Sequence, residues 1–191
     1  MITAEVARRI RLLALDVDGV LTDNGIWIAP VNGQRVELKR FDIQDGLGLG
    51  LLRNTGIEVA WVSGRQSEAT ELRASELRIP TVLQENKASK LPALERILEE
   101  KGLGWEELAY VGDDLPDLPI LRRAGLAISV ANGRPEARAM AHWVTSASGG
   151  HGAVREVVEG ILQARGEWDQ AVRSYLAERG ETMPWPPTGA R

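Results

Sequence analysis

Cysteine is absent from the chain, which excludes disulfides, thiolate metal sites and a thiol nucleophile and fits a reducing compartment. Basic residues form no long run and the net charge is −4. That balance excludes nucleic acid as the main partner, because binding a phosphate backbone requires a clustered positive surface. No segment approaches the roughly 20 consecutive apolar residues that cross a bilayer. The first residues, Met1 to Arg11, carry Glu5, Arg8, Arg9 and Arg11 and lack an apolar stretch of signal-peptide length. A cytoplasmic protein with no membrane partner is expected. Phenylalanine occurs once against six tryptophans, a usage to which the sequence attaches no function. What is present is ordinary for a globular protein: 191 residues, 43% hydrophobic and 26% charged. The length suits a single domain over residues 1–180. The end, 181–191, with Pro184, Pro186, Pro187 and Gly189, is expected to be a disordered tail.

Short apolar runs alternate with amphipathic stretches. Leu12–Leu15, Ile57–Val62, Thr81–Leu83, Leu108–Val111, Leu126–Val130 and His142–Thr145 read as strands, each closed by Gly, Asp, Ser or Asn. Gln66–Leu77, Lys90–Lys101, Leu115–Arg123 and Arg134–Ala141 show helical spacing, as do Ala153–Leu162 and Trp168–Leu176 near the end. The alternation predicts an α/β fold with a doubly wound, mainly parallel sheet covered on both faces. Ligands in such sheets sit beyond the carboxyl ends of the strands. One insertion breaks the pattern. Gly25–Ile28 and Arg35–Phe41 flank Pro30-Val31-Asn32-Gly33, and Asn-Gly predicts a β-hairpin at about 24–41. Asp45–Leu52 then leads into a helix that ends at Asn54-Thr55-Gly56.

Four strand ends carry the chemistry. Asp16 and Asp18 follow the first strand; side chains at i and i+2 of an extended chain point the same way, so both can face one site. Two close carboxylates repel unless a cation or proton sits between them. A plain Asp/Gly turn accounts for Asp-x-Asp-Gly as readily. A calcium loop does not, since Val20, Leu21 and Gly25 occupy positions that would need oxygen ligands. Ser63-Gly64-Arg65 closes another strand; the Ser63 hydroxyl and the backbone N–H groups that Gly64 exposes suit an anion, and a simple helix cap is the alternative. Lys90 opens a helix, against the helix dipole, and points to a local anion, with a solvated surface lysine as the alternative. Asp113, Asp114 and Asp117 follow a fourth strand. Asp113 can complete an oxygen-rich magnesium site with Asp16, and Asp114 is either an N-cap or part of that site.

Together, Asp16-Val17-Asp18-Gly19, Ser63, Lys90 and Gly112-Asp113-Asp114-Leu115-Pro116-Asp117 resemble the motifs of the haloacid-dehalogenase-like phosphatases. Over about Ile10–Val158 the chain resembles the 3-deoxy-D-manno-octulosonate 8-phosphate phosphatase family. Leu15–Asp23, Phe41–Gly46, Ser63–Arg65, Tyr110–Asp114 and Gly149–Glu156 carry that likeness. The resemblance implies a Mg²⁺-dependent hydrolase of a sugar-acid phosphate, with no large cap domain. It implies a homotetramer in which the hairpin covers a neighbour's site and Gly149–Gly152 approaches one. It makes Asp16 the nucleophile and Asp18 the acid and base. It gives magnesium to Asp16, Asp113 and the backbone carbonyl of Asp18. Ser63 and Lys90 then hold the phosphoryl oxygens, Asp117 positions Lys90, and Asp114 supports the metal shell. Asp42, Ile43, Gln44, Asp45, Gly46, Gly64, Arg65 and Arg73 join Asp18 and Lys90 as expected substrate contacts.

The sequence departs from that family at Gln44 and Gly50, where members acting on the octulosonate phosphate carry basic side chains; Arg65 and Arg73 remain to meet a carboxylate. Lys87 is an alternative to Lys90. The competing functions are a phosphatase for another sugar phosphate, such as a nine-carbon acylneuraminate-type 9-phosphate, a phosphomutase, and a non-catalytic oligomeric module that binds a sugar phosphate. Trp27 is either an interface anchor or half of a cross-strand pair, and Trp61 is expected in the core.

Overall fold

The computed structural model describes residues 2–85 and 89–181. Its strands are β1 (Leu12–Leu15), β2 (Trp27–Val31), β3 (Gln34–Leu38), β4 (Glu58–Ser63), β5 (Thr81–Gln84), β6 (Leu108–Gly112), β7 (Leu126–Ser129) and β8 (Trp143–Val144). The helices are α1 (Ala4–Arg9), α2 (Ile43–Leu51), α3 (Glu68–Leu77), α4 (Lys90–Lys101), α5 (Leu118–Leu121), α6 (Pro135–Met140), α7 (Ala153–Arg165) and α8 (Trp168–Ala177). Six strands form one parallel sheet in the order β5-β4-β1-β6-β7-β8. The order reverses around β1, which pairs with β4 on one side and β6 on the other. That reversal opens a crevice at the carboxyl ends of these three strands.

The sheet is buried on both faces because its residues are apolar at both parities of the strand period. Leu13, Leu15, Val59, Trp61, Val111 and Ile128 face one layer, closed by α2 and by the α7 stripe Val154, Val157, Val158, Ile161 and Leu162. Leu12, Ala14, Ala60, Val62, Leu108 and Tyr110 face the other, closed by Leu94, Ile97 and Leu98 of α4 and by Ile120 and Leu121. Trp61 is fully buried, as expected, and stacks on Phe41 with ring centroids 6.2 Å apart. Truncating such a side chain costs about 3–5 kcal/mol.

Two local expectations need correction, and one helix lies outside every expected element. Leu115–Arg123 is not one helix: Pro116 and Pro119 lack N–H groups, and the segment divides into a 3₁₀ turn, Leu115–Asp117, followed by α5. Helix α1 escapes periodicity because it has only six residues, and Thr3 caps it by accepting a bond from the Val6 N–H. The hairpin strand runs on through Pro30 and Val31, so the turn is Asn32-Gly33 alone, both at positive φ (50° and 76°). The hairpin stands apart as a two-stranded sheet, and every residue of β2 is exposed. Among the described residues no helix is long and apolar enough to cross a membrane. Lys87 and positions 182–191 of the expected tail lie outside the described residues.

Candidate active site

Asp16 leaves β1 with its N–H donated to Val111 of β6, so the strand pairing itself sets its position. The chain then turns sharply: the N–H groups of Leu21 and Thr22 both reach the Val17 carbonyl. Gly19 makes the turn at φ +99°, and a Cβ there would fall 2.2 Å from Asp113 Oδ2. Only glycine serves both demands. Asp113 leaves β6 on the other side of the crevice. One carboxylate oxygen each from Asp16, Asp113 and Asp117 lies within 4.8 Å of the others.

These three carboxylates are differently occupied. Asp117 is fully buried and saturated: its Oδ1 accepts from Lys90 Nζ (2.8 Å) and Tyr110 Oη (2.6 Å), its Oδ2 from the N–H groups of Asp113 and Asp114. Asp16 Oδ1 accepts from the Val17 N–H and lies 2.7 Å from Lys90 Nζ. Asp113 Oδ1 is buried and has no hydrogen-bond partner among the described residues. Burial, and then Asp117, raise the Asp16 carboxyl well above its ordinary range against the pull of Lys90. The same two causes push Asp113 up to about 6. Burial works to strip the Lys90 proton, but Asp16 and Asp117 outweigh it and raise its pKa. One ammonium thus faces three carboxylates. An all-oxygen donor set with a surplus of negative charge and an orphaned oxygen fits a small, hard divalent cation such as magnesium. Asp117 has no free lone pair for it, so Asp16 and Asp113 are the carboxylates that fit.

A cavity of about 220 Å³ opens here, lined by Asp16, Asp18, Asn24, Gly64, Arg65, Lys90, Asp113, Asp114, Pro116 and Asp117. Asp18 lines it, but its carboxylate turns to Lys39 Nζ (2.7 Å) rather than into the acidic cluster. Ser63 is fully buried at its edge, its hydroxyl donating to the Arg65 carbonyl and accepting from the Arg65 N–H. Asp114 caps the 3₁₀ turn through the Leu115 N–H. Arg65 grips Glu37 of the hairpin at 3.2 and 2.9 Å. Burial alone would raise the Glu37 carboxyl; Arg65, Ser67 and Lys39 outweigh it and hold it below its ordinary value.

Asp42, Ile43, Gln44, Asp45, Gly46 and Arg73 do not line this cavity. Asp42 caps α2 through the Gln44 N–H, and Ile43 is exposed. Asp45 is buried and accepts the Arg155 N–H at 2.8 Å, joining α2 to the start of α7. Burial, opposed by that bond and reinforced by Asp42, pushes Asp45 up to about 6. Arg73 lies over Gly46 and pairs with Glu76 (2.8 Å). Gly149–Gly152 packs on its own chain's turn: a Cβ on Gly149 would stand 1.7 Å from the Gly19 carbonyl oxygen, and one on Gly150 2.3 Å from the Asp23 nitrogen.

A family model for haloacid dehalogenase-like hydrolases matches residues 81–157. The 3-deoxy-D-manno-octulosonate 8-phosphate phosphatase of Escherichia coli K12 is 43% identical over 165 residues, 86% of each chain. The chain belongs to this phosphatase family. Among solved structures, the family's phosphatase from Moraxella catarrhalis, in complex with magnesium, phosphate and KDO, is 41% identical with a TM-score of 0.83, covering 90% of this chain and 97% of that one. The cobalt-bound family member from Haemophilus influenzae is 34% identical with a TM-score of 0.79, covering 88% and 99%. Within this family frame, two residues escape sequence reasoning: Asn24, which lines the cavity, and Lys39, which stands behind it against Asp18. Asn24 sits at φ +69° in Asp-Asn-Gly, which reads simply as a turn. Lys39 ends an alternation of charges, Arg35, Glu37, Lys39, that reads as a solvated strand face.

Proposed function

We propose that this chain is a magnesium-dependent phosphatase that hydrolyses 3-deoxy-D-manno-octulosonate 8-phosphate through a phosphoaspartate on Asp16. The observation that carries the reading is the unpaired Asp113 Oδ1 beside Asp16, with Lys90 opposite. Magnesium would be held by the carboxylates of Asp16 and Asp113 and the main-chain carbonyl of Asp18, where it supplies charge neutralisation for carboxylate and phosphate together. Asp16 attacks phosphorus with its second oxygen while Lys90 holds Oδ1 in place. Asp18 gives a proton to the departing sugar oxygen, then takes one from the water that cleaves the phosphoaspartate. Lys90 and Ser63 meet the phosphoryl oxygens, Ser63 by exchanging its bond to the Arg65 carbonyl for one to the substrate. Asp117 keeps Lys90 oriented, and Asp114 steadies the turn behind Asp113.

At the mouth, Arg65 is the cation for the sugar-acid carboxylate, in exchange for Glu37. The α2 start from Asp42 to Gly46 and Arg73 serve the substrate only from outside this cavity. In a homotetramer the hairpin would cover a neighbour's site, a reading supported by its exposed Trp27 (70%) and Leu38 (60%). The work belongs in the cytoplasm. The test is inorganic phosphate release from the eight-carbon sugar-acid phosphate with magnesium, beside a nine-carbon 9-phosphate. Release from the eight-carbon ester, stopped by chelator and lost about 10³-fold or more in Asp16→Asn, supports the reading. Undiminished turnover in that variant removes Asp16 as nucleophile, and preference for the nine-carbon ester changes the substrate.

A further inference from the structure

Lys39 follows β3 and bends inward, its side chain wholly shielded from solvent. A buried ammonium is costly unless acceptors surround it. Here there are three: Asp18 Oδ1 at 2.7 Å, Thr70 Oγ1 of α3 at 3.2 Å and Glu37 Oε1 at 4.0 Å. Thr70 takes a hydrogen bond from Nζ, and the two carboxylates pair with its charge. Asp18 Oδ1 is itself buried and takes no hydrogen bond from any group among the described residues, so its tie to Lys39 is an ion pair. Asp18 nevertheless lines the cavity. With Oδ1 turned inward to Lys39, Oδ2 is the oxygen left to reach a bound ester.

We infer that Lys39 is a positioning residue for departure of the leaving group, anchoring Asp18 by Oδ1 so that Oδ2 meets the ester oxygen. The inference rests on the phosphatase reading above. In the step concerned, a bond forms between Asp16 and phosphorus as the bond from phosphorus to the ester oxygen breaks. The electron pair stays on that oxygen, which takes the proton from Asp18. An alkoxide leaves poorly and depends on that proton; a nitrophenolate leaves without it. Correct placement of Asp18 therefore matters in proportion to the basicity of the leaving group.

The test compares kcat/KM across a series of phosphate monoesters, from the sugar-acid phosphate to p-nitrophenyl phosphate. That parameter reports the steps through ester cleavage and leaves out hydrolysis of the phosphoaspartate, where both substrates share a fate. Lys39→Met keeps the length of the side chain and removes the ammonium. It is expected to lower kcat/KM on the alkyl ester by about 10–100-fold and on p-nitrophenyl phosphate by less than about twofold. Thr70→Val, which removes one tether of Nζ, should show the same asymmetry in smaller measure, and it carries the test alone if Lys39→Met does not fold. Equal losses on both esters, or none on either, overturn the inference while leaving the phosphatase reading intact. A wild-type chain that releases phosphate from no ester overturns both.

Discussion

On the floor of the site, Lys90, Asp117 and Tyr110 are sealed from solvent, and both oxygens of Asp117 are matched by donors. On the hairpin, β2 exposes every residue, Trp27 among them. The floor is completed by its own chain from three strand ends, whereas the hairpin presents apolar surface that no other described residue covers. Bond-making chemistry demands charges fixed before the substrate arrives, which needs burial and mutual satisfaction. The outer wall has no such demand. Lys39 and Glu37 connect the two regions, standing two residues apart at the end of β3 and gripping Asp18 and Arg65 respectively.

The contrast breaks most visibly at Lys90. Lys90→Met leaves Asp16 and Asp117 without their counter-charge, and a denaturant titration of metal-free protein should show a loss of about 3–5 kcal/mol. Less than about 1 kcal/mol would mean the floor tolerates bare charge after all. Asp113→Asn acts oppositely on stability and function. Without metal it relieves repulsion against Asp16 and Asp117, so the melting temperature should rise while phosphatase activity falls by about 10²-fold or more. Magnesium that still stabilises this variant as it does the wild type would remove Asp113 as a ligand.

Asp45 sharpens the comparison by pH. Its folded pKa, about 6, stands above the ordinary 3.8, so the native state holds the proton more tightly. Stability from this group is complete below about pH 4 and declines as pH rises through 6, by about 2 kcal/mol. Asp45→Asn should flatten that decline in melts recorded from pH 4 to 7; an unchanged slope assigns it to another group. Least disturbed should be the fold of the double variant Trp27→Ser, Leu38→Ser. Its unfolding free energy at low protein concentration should stay within about 0.5 kcal/mol, while light scattering shows a smaller assembly. A single-chain mass for the wild type, or an undiminished mass for the variant, would remove the hairpin as the interface of the proposed homotetramer.

Sequence pattern revealed the sheet because its strands are apolar at both parities and end in Asp, Ser or Gly, and the ends of β1, β4 and β6 announced Asp16, Ser63 and Asp113. It missed Lys39 because one inward lysine in a charged alternation is invisible until the strand's twist and the position of α3 are known. It could not show that Asp45 ties α2 to α7, since a carboxylate near a motif looks the same whether it meets a ligand or the N–H groups of a distant helix. The division at Pro116 and Pro119 was legible in principle: two prolines three residues apart cannot both enter one regular helix without losing bonds.

The interlock of Gly149 and Gly150 with the turn at Gly19 bears on how the molecule comes into being. The loop that follows Asp16 is translated long before the backbone that seats it. A nascent chain halted before Gly149 therefore carries every acidic side chain of the centre without the wall that holds their loop in shape.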